Sequence, residues 1–147
     1  MDREILFRGK VSGKRLNKGE WIEGNLVHQL DCYGKPCDKY FILNKYDTND
    51  YEIGEPIQVD PATVGQFTGL CDKNGKKIFE GDVVGCWDIY HENYAKGEVI
   101  KKITGEWLFY PYLQHGRFWS LFSNDIGECP VEVIGNIHDN PDLLREE

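Results

Sequence analysis

Short apolar runs broken by Gly-bearing polar turns dominate the pattern along this chain. Ile5 to Val11 reads as a strand interrupted by Gly9, and Glu20 to His28 as a second strand with Gly24 at its centre. A glycine inside a strand suggests a bulge or a close backbone approach. The two runs make natural antiparallel partners across the polar loop Ser12–Gly19. A turn region, Asp31–Asp38, leads into a compact apolar strand at Lys39–Leu43, and a polar loop from Asn44 to Glu55 precedes a short strand at Pro56–Val59. Further strands are expected at Val83–Ile89, Gly97–Ile103, Glu106–Tyr112, Phe118–Phe122 and Val131–Ile137. Strands this short, at regular spacing and joined by turns, predict a small barrel or sandwich.

The stretch from Val59 to Val84 is the most legible. Asp60 is a good N-cap and Pro61 suits the first helical position, so a short helical turn is expected. Phe67-Thr68 then favours a strand, and Asn74-Gly75 marks a hairpin of two loop residues or slightly more. Glu80-Gly81-Asp82 breaks the second strand and Val83-Val84 opens the next. Trp21, Phe41, Phe67, Leu70, Ile78, Val83, Val99, Trp107 and Ile134 are the expected core. The hairpin tip Lys73–Lys77 reads either as a recognition loop or as an ordinary solvated turn, polar for local reasons.

Composition narrows the setting. A chain of 147 residues can hold one domain or two small lobes. Aromatic residues at 13%, with Gly at 16 and Met at 1, suit twisted sheets better than a helical bundle. No apolar run is long enough for a membrane helix, and Met1-Asp2-Arg3-Glu4 lacks the layout of a secretory signal, which predicts a cytoplasmic protein. In that setting Cys32, Cys37, Cys71, Cys86 and Cys129 are expected as reduced thiols. A net charge of −8 repels duplex phosphate and disfavours generic DNA binding.

Three blocks carry a resemblance to a known family. Leu6-Phe-Arg-Gly9 with Gly19-Glu-Trp-Ile-Glu-Gly-Asn-Leu26 looks like its opening hairpin. Val64-Gly-Gln-Phe-Thr-Gly-Leu70 through Ile78-Phe-Glu-Gly-Asp-Val-Val84 matches its central signature. Val133-Ile-Gly-Asn-Ile137 with Asn140-Pro-Asp-Leu-Leu144 resembles its closing strand and tail. On these residues the chain resembles the YopX-like proteins of phages and prophages. The resemblance implies a mostly β protein with an SH3-like barrel in its second half, and it transfers no catalytic or binding residue. The layout Glu80-Gly-Asp-Val-Val84, a loop, then Gly97-Glu-Val99 is itself similar to the opening of such a barrel. The expected architecture is a small N-terminal β lobe, residues 1–58, packed on a unit of residues 59–147. That unit would comprise the signature hairpin, the barrel and a short C-terminal helical turn.

Candidate chemistry is sparse. His28, Cys32 and Cys37 offer zinc-compatible donors, with Cys71 or His138 as a possible fourth, but their spacing is looser than a structural site prefers. His138, Asp139 and Asp142 could gather around a metal, or serve as a turn and a helix cap. No nucleophile elbow, HExxH, phosphate loop or dinucleotide fingerprint occurs. No cofactor and no enzymatic activity are therefore expected. Lys101-Lys102 near Trp107, Tyr110 and Tyr112 could form a stacking platform for single-stranded nucleic acid. Against that, period two sends Trp107 and Phe109 to one face, where a core must be filled. The abundance of aromatic residues and the prospect of edge strands favour a protein-binding or assembly module that associates with itself or with another protein. Its contacts are expected on the barrel loops: Tyr90, His91, Glu92 and Tyr94 in the loop Tyr90–Lys96, with His115 and Arg117 near Gly116.

Overall fold

A computed structural model of the chain describes residues 4–13, 17–43, 56–88, 93–111, 119–120 and 131–145. The protein is mostly β, and the described residues form two antiparallel sheets and two single turns of 3₁₀ helix. Its compact units are Met1–Phe67 and Thr68–Glu147.

In the first unit, β1 (Phe7–Lys10), β2 (Trp21–Leu30), β3 (Pro36–Leu43) and β4 (Ile57–Val59) form a sheet that β5 (Gly65–Cys71) joins beside β1. Strand β1 pairs only with Trp21–Gly24 of β2, whereas β3 pairs with Asn25–Leu30 on the other edge. Gly24 marks the change-over and answers the expectation of a close approach. A Cβ built there would overlap the Leu43 carbonyl and crowd Ile42 Cγ2, so no larger side chain fits. Val11, Ile42 and Val59 are fully buried, each worth about 1.5–3 kcal/mol against exposure. Pro61–Thr63 is the expected short turn, and Asp60 caps it by accepting from the Ala62 N–H at 3.0 Å. Thr63 is drawn inward because its hydroxyl accepts from the Lys10 N–H at 2.9 Å and donates to the Asp60 carbonyl at 2.7 Å.

In the second unit, the latter part of β5 pairs with β6 (Lys77–Phe79). The remaining strands are β7 (Asp82–Asp88), β8 (Asn93–Lys101), β9 (Trp107–Pro111), β10 (Trp119–Ser120) and β11 (Glu132–Asn136), in the spatial order β10-β9-β8-β7-β11. Strands β10 and β11 are the two edges, so among the described residues this sheet does not close on itself. Ile78, Val84, Val99, Phe109 and Val131 form the core, with Leu70, Cys86, Trp107 and Val133 packed around it. The glycine corner is built as its sequence predicts. Gly81 takes φ +90°, its N–H donates to the Val99 carbonyl, and the buried Asp82 carboxylate accepts the Phe79 N–H at 2.8 Å.

Of the expected core, Phe67, Ile78, Val83 and Val99 are buried. Trp21, Phe41, Leu70, Trp107 and Ile134 are only half-buried. Trp21 lies under two cations, the Arg8 guanidinium at 4.6 Å and the Lys10 ammonium at 5.5 Å from its ring centroid. Ile134 sits where the β7–β11 register slips between Val133 and Gly135, which takes it out of the strict alternation. The hairpin after β5 uses the longer of its two expected forms. The Gly75 N–H donates to the Asp72 carbonyl and Gly75 itself takes φ +83°, a type of turn followed by a left-handed glycine.

Candidate functional site

A group of exposed aromatic side chains lies on the face of the β7–β8–β9 sheet turned away from its core cluster, a face on which Val83 and Leu108 are buried. Alternation sends Val84, Cys86, Val99 and Phe109 inward, and so turns Trp87, Tyr94, Glu98 and Tyr110 outward. Trp87 is opposite Tyr94 in the ladder. Trp87 is 60% exposed, a large apolar surface for one side chain.

Tyr94 is held in place. Its ring passes over Gly85, where a Cβ would overlap the phenol oxygen, and the hydroxyl donates to Glu132 Oε1 at 3.2 Å. Burial first, then the hydrogen bond to Glu132 and the Glu132 and Cys86 charges, raise the Tyr94 pKa, so the phenol stays a protonated donor. The other Glu132 oxygen faces the Lys73 ammonium at 3.6 Å. A row of Lys73, Glu132 and Tyr94, with Trp87 beside it, thus spans β11, β7 and β8 and the tip of the β5–β6 hairpin. Farther along the same face, burial and then the charge of Glu80 raise the Glu98 pKa. Its carboxylate is half-buried next to a like charge and opposite Tyr110.

Of the six residues expected to bind a partner, Tyr94 alone falls among the described residues. It lies in strand β8 and not in a loop, because Asn93 and Tyr94 already pair with Asp88 and Trp87. Tyr90, His91, Glu92, His115 and Arg117 lie outside the described residues. Trp87 had no place in the expected site: its alternation with Cys86 was visible, but nothing local marks which face a sheet leaves open.

The other candidates sort by geometry. At the β5–β6 tip, Lys73 is engaged with Glu132, and its N–H donates to the Val131 carbonyl at 3.1 Å, so this tip is docked on β11. His28 stacks on Tyr40 with ring centroids 4.0 Å apart, and its Nε2 meets the Cys37 carbonyl. Cys37 turns its thiol to the Gln29 carbonyl at 3.2 Å, and Cys32 is exposed. Among the described residues no three His, Cys, Asp or Glu side chains gather as metal ligands do. Around His138, Asn136 organises the turn through its side-chain oxygen, which accepts the His138 and Asp139 N–H groups at 3.0 and 2.9 Å. Lys101 lies 5.5 Å from the Trp107 ring centroid, but that indole is half-buried against the core.

The family model for the YopX protein matches residues 13–145. The chain belongs to the YopX family. The match reaches into both units of the fold and takes in β2, the glycine corner and the closing strand described above, and it begins after β1. The crystal structure of protein EF1440 from Enterococcus faecalis is similar at 23% identity and a TM-score of 0.47, over 97% of this chain and 99% of that one. No curated protein matches the chain. No helix among the described residues is long and apolar enough to cross a membrane.

Proposed function

We propose that this YopX-family chain is a non-enzymatic protein-binding and assembly module, a phage or prophage accessory protein that works in the bacterial cytoplasm and associates with copies of itself. The observation that carries the reading is Trp87, exposed at the end of β7 beside the braced ring of Tyr94. Exposed Trp and Tyr on a rigid strand offer large contact area for little conformational entropy, and such residues dominate the energetics of protein interfaces. In this reading Tyr90, His91 and Glu92, which follow β7 in sequence, extend the same contact, and His115 and Arg117 belong to it as well.

The second unit is read as an SH3-like fold. Its support is the strand order, in which β7 pairs with both the next strand and the last, and β8, β9 and β10 follow as a meander. The acidic total, together with the engagement of Lys73 by Glu132, weighs against a phosphate-binding surface.

The test is capture of proteins from nuclease-treated bacterial extract on the immobilised full chain, with Trp87→Ala beside it. Trp87→Ala is expected to lose capture by at least tenfold while its thermal midpoint stays within about 2 °C, since exposed substitutions change stability little. Equal capture by both proteins, or loss of fold in the variant, would remove the reading.

A further inference from the structure

Beyond the end of β1, the β2–β3 hairpin runs on as a two-stranded ribbon. Asn25–Leu30 of β2 pair with β3 on one side, and among the described residues no backbone group bonds to them on the other. Val27, His28, Gln29 and Leu30 are exposed, Leu30 by 54%, and Tyr33 at the tip by 86%. A ribbon of two strands is marginal alone in water, and an open edge is a template for another strand.

The two edges of the ribbon are not alike. From His28 to Leu30 is two steps along β2, while their partners Tyr40 and Pro36 are four steps apart, so the extra residues bulge from β3 and leave β2 regular. A bulge, Pro36, Asp38 and Lys39 are the devices by which natural sheets blunt an edge. The open part of β2 carries none of them: Leu26-Val27-His28-Gln29-Leu30 holds no Lys, Arg, Asp or Glu in a chain of net charge −8.

That run is also complementary to itself. Laid antiparallel against a second copy and centred on His28, it sets Leu26 opposite Leu30 of the partner subunit, Val27 opposite Gln29 of the partner subunit, and His28 opposite its own copy. Like apolar residues then meet on one face, with no charge brought near another. Building on the self-association proposed above, we propose that two copies join edge to edge through residues 26–30 of β2, making one continuous sheet about a two-fold axis. A foreign peptide would need no such symmetry in the run, whereas a second copy does.

The experiment uses the full chain. Sedimentation equilibrium of the wild type should give twice the 17.0 kDa chain mass. The double substitution Val27→Lys, Gln29→Lys sets like charges opposite one another in the proposed register. It should raise the dimer dissociation constant at least tenfold with the circular dichroism spectrum unchanged. In a Cys32→Ser, Cys37→Ser background, His28→Cys should cross-link to a disulfide dimer under mild oxidation and Leu26→Cys should not, because only position 28 faces itself. A wild type that is monomeric throughout overturns both this inference and the self-association. A dimer that survives the lysine pair but dissociates with Trp87→Ala overturns this inference alone. Efficient cross-linking at position 26 instead of 28 overturns the register and the symmetric joint with it.

Discussion

Two hairpin turns in this protein are near copies, one at Asp31–Lys35 in the first unit and one at Asp72–Lys76 in the second. Both read Asp-x-x-Gly-Lys. In each the Asp N–H donates to the Lys carbonyl at 2.7 Å and the Gly N–H to the Asp carbonyl at 3.0 Å. One oxygen of the carboxylate accepts two turn N–H groups, from Tyr33 and Lys35 at 2.9 and 2.8 Å, or from Asn74 and Lys76 at 2.9 Å each. The glycines take φ +79° and +83°. The difference lies outside the turn. Asp31 is exposed, whereas Asp72 is buried and offers its second oxygen to the Val133 N–H at 2.9 Å, 61 residues away. Local sequence builds the turn; tertiary context decides whether its carboxylate is a turn former only or also a fastening for another strand.

The largest effect should come from removing the fastening. Asp72→Ala leaves three backbone N–H groups without their charged acceptor, one of them in β11, and is expected to cost about 3–4 kcal/mol in urea unfolding. A cost equal to that of Asp31→Ala would show that the bond to Val133 contributes nothing.

Acid comes next. Burial pushes the Asp72 pKa up, but the N–H groups of Val133, Lys76 and Asn74 and the Lys76 charge outweigh it, so the folded value lies below the usual carboxylate range. A depressed folded pKa gives stability that is fully present above the unfolded value, about 3.9, and lost as pH falls through the folded one. The wild type should therefore lose stability more steeply below about pH 4 than Asp72→Asn does. Parallel acid curves for the two proteins would contradict the assignment.

Gly34→Ala and Gly75→Ala form a matched pair of smaller effect. Neither glycine has an atom within 4 Å of a built Cβ, and both sit at positive φ. Each substitution should cost about 1 kcal/mol from backbone strain alone, and the two costs should agree. The smallest effect is expected from Asp31→Ala, within about 0.5 kcal/mol because its carboxylate faces water.

This pair also shows how much of the molecule could be read from the chain. The strands, the glycine corner, the Asp60 cap and the hairpin after β5 follow from residues close in sequence, and each was legible. The β5–β6 turn was visible in Asn74-Gly75, but the role of Asp72 was not, because its third partner lies in β11. The same limit applies at the candidate site. Tyr94 could be singled out as an aromatic near a loop, yet its bracing by Gly85 and Glu132 depends on the register of three strands. Trp87 and Phe109 are both aromatic strand residues; which one faces water is decided by what packs on each side of the sheet, and a single sequence does not carry that.

The bond from Asp72 to Val133 has a consequence for synthesis. Synthesis runs toward the C-terminus, and the strands of the first unit have all been made once β5 has. Those of the second unit have not. Both the edge of β7 and the carboxylate of Asp72 wait for residues 132–136, and Val131 is needed to finish the core. Closing such long loops is slow, and half-made sheets expose apolar surface. Until β11 has been made, the second unit of a growing chain therefore lacks the outer partner of β7, the third donor to Asp72 and one residue of its core.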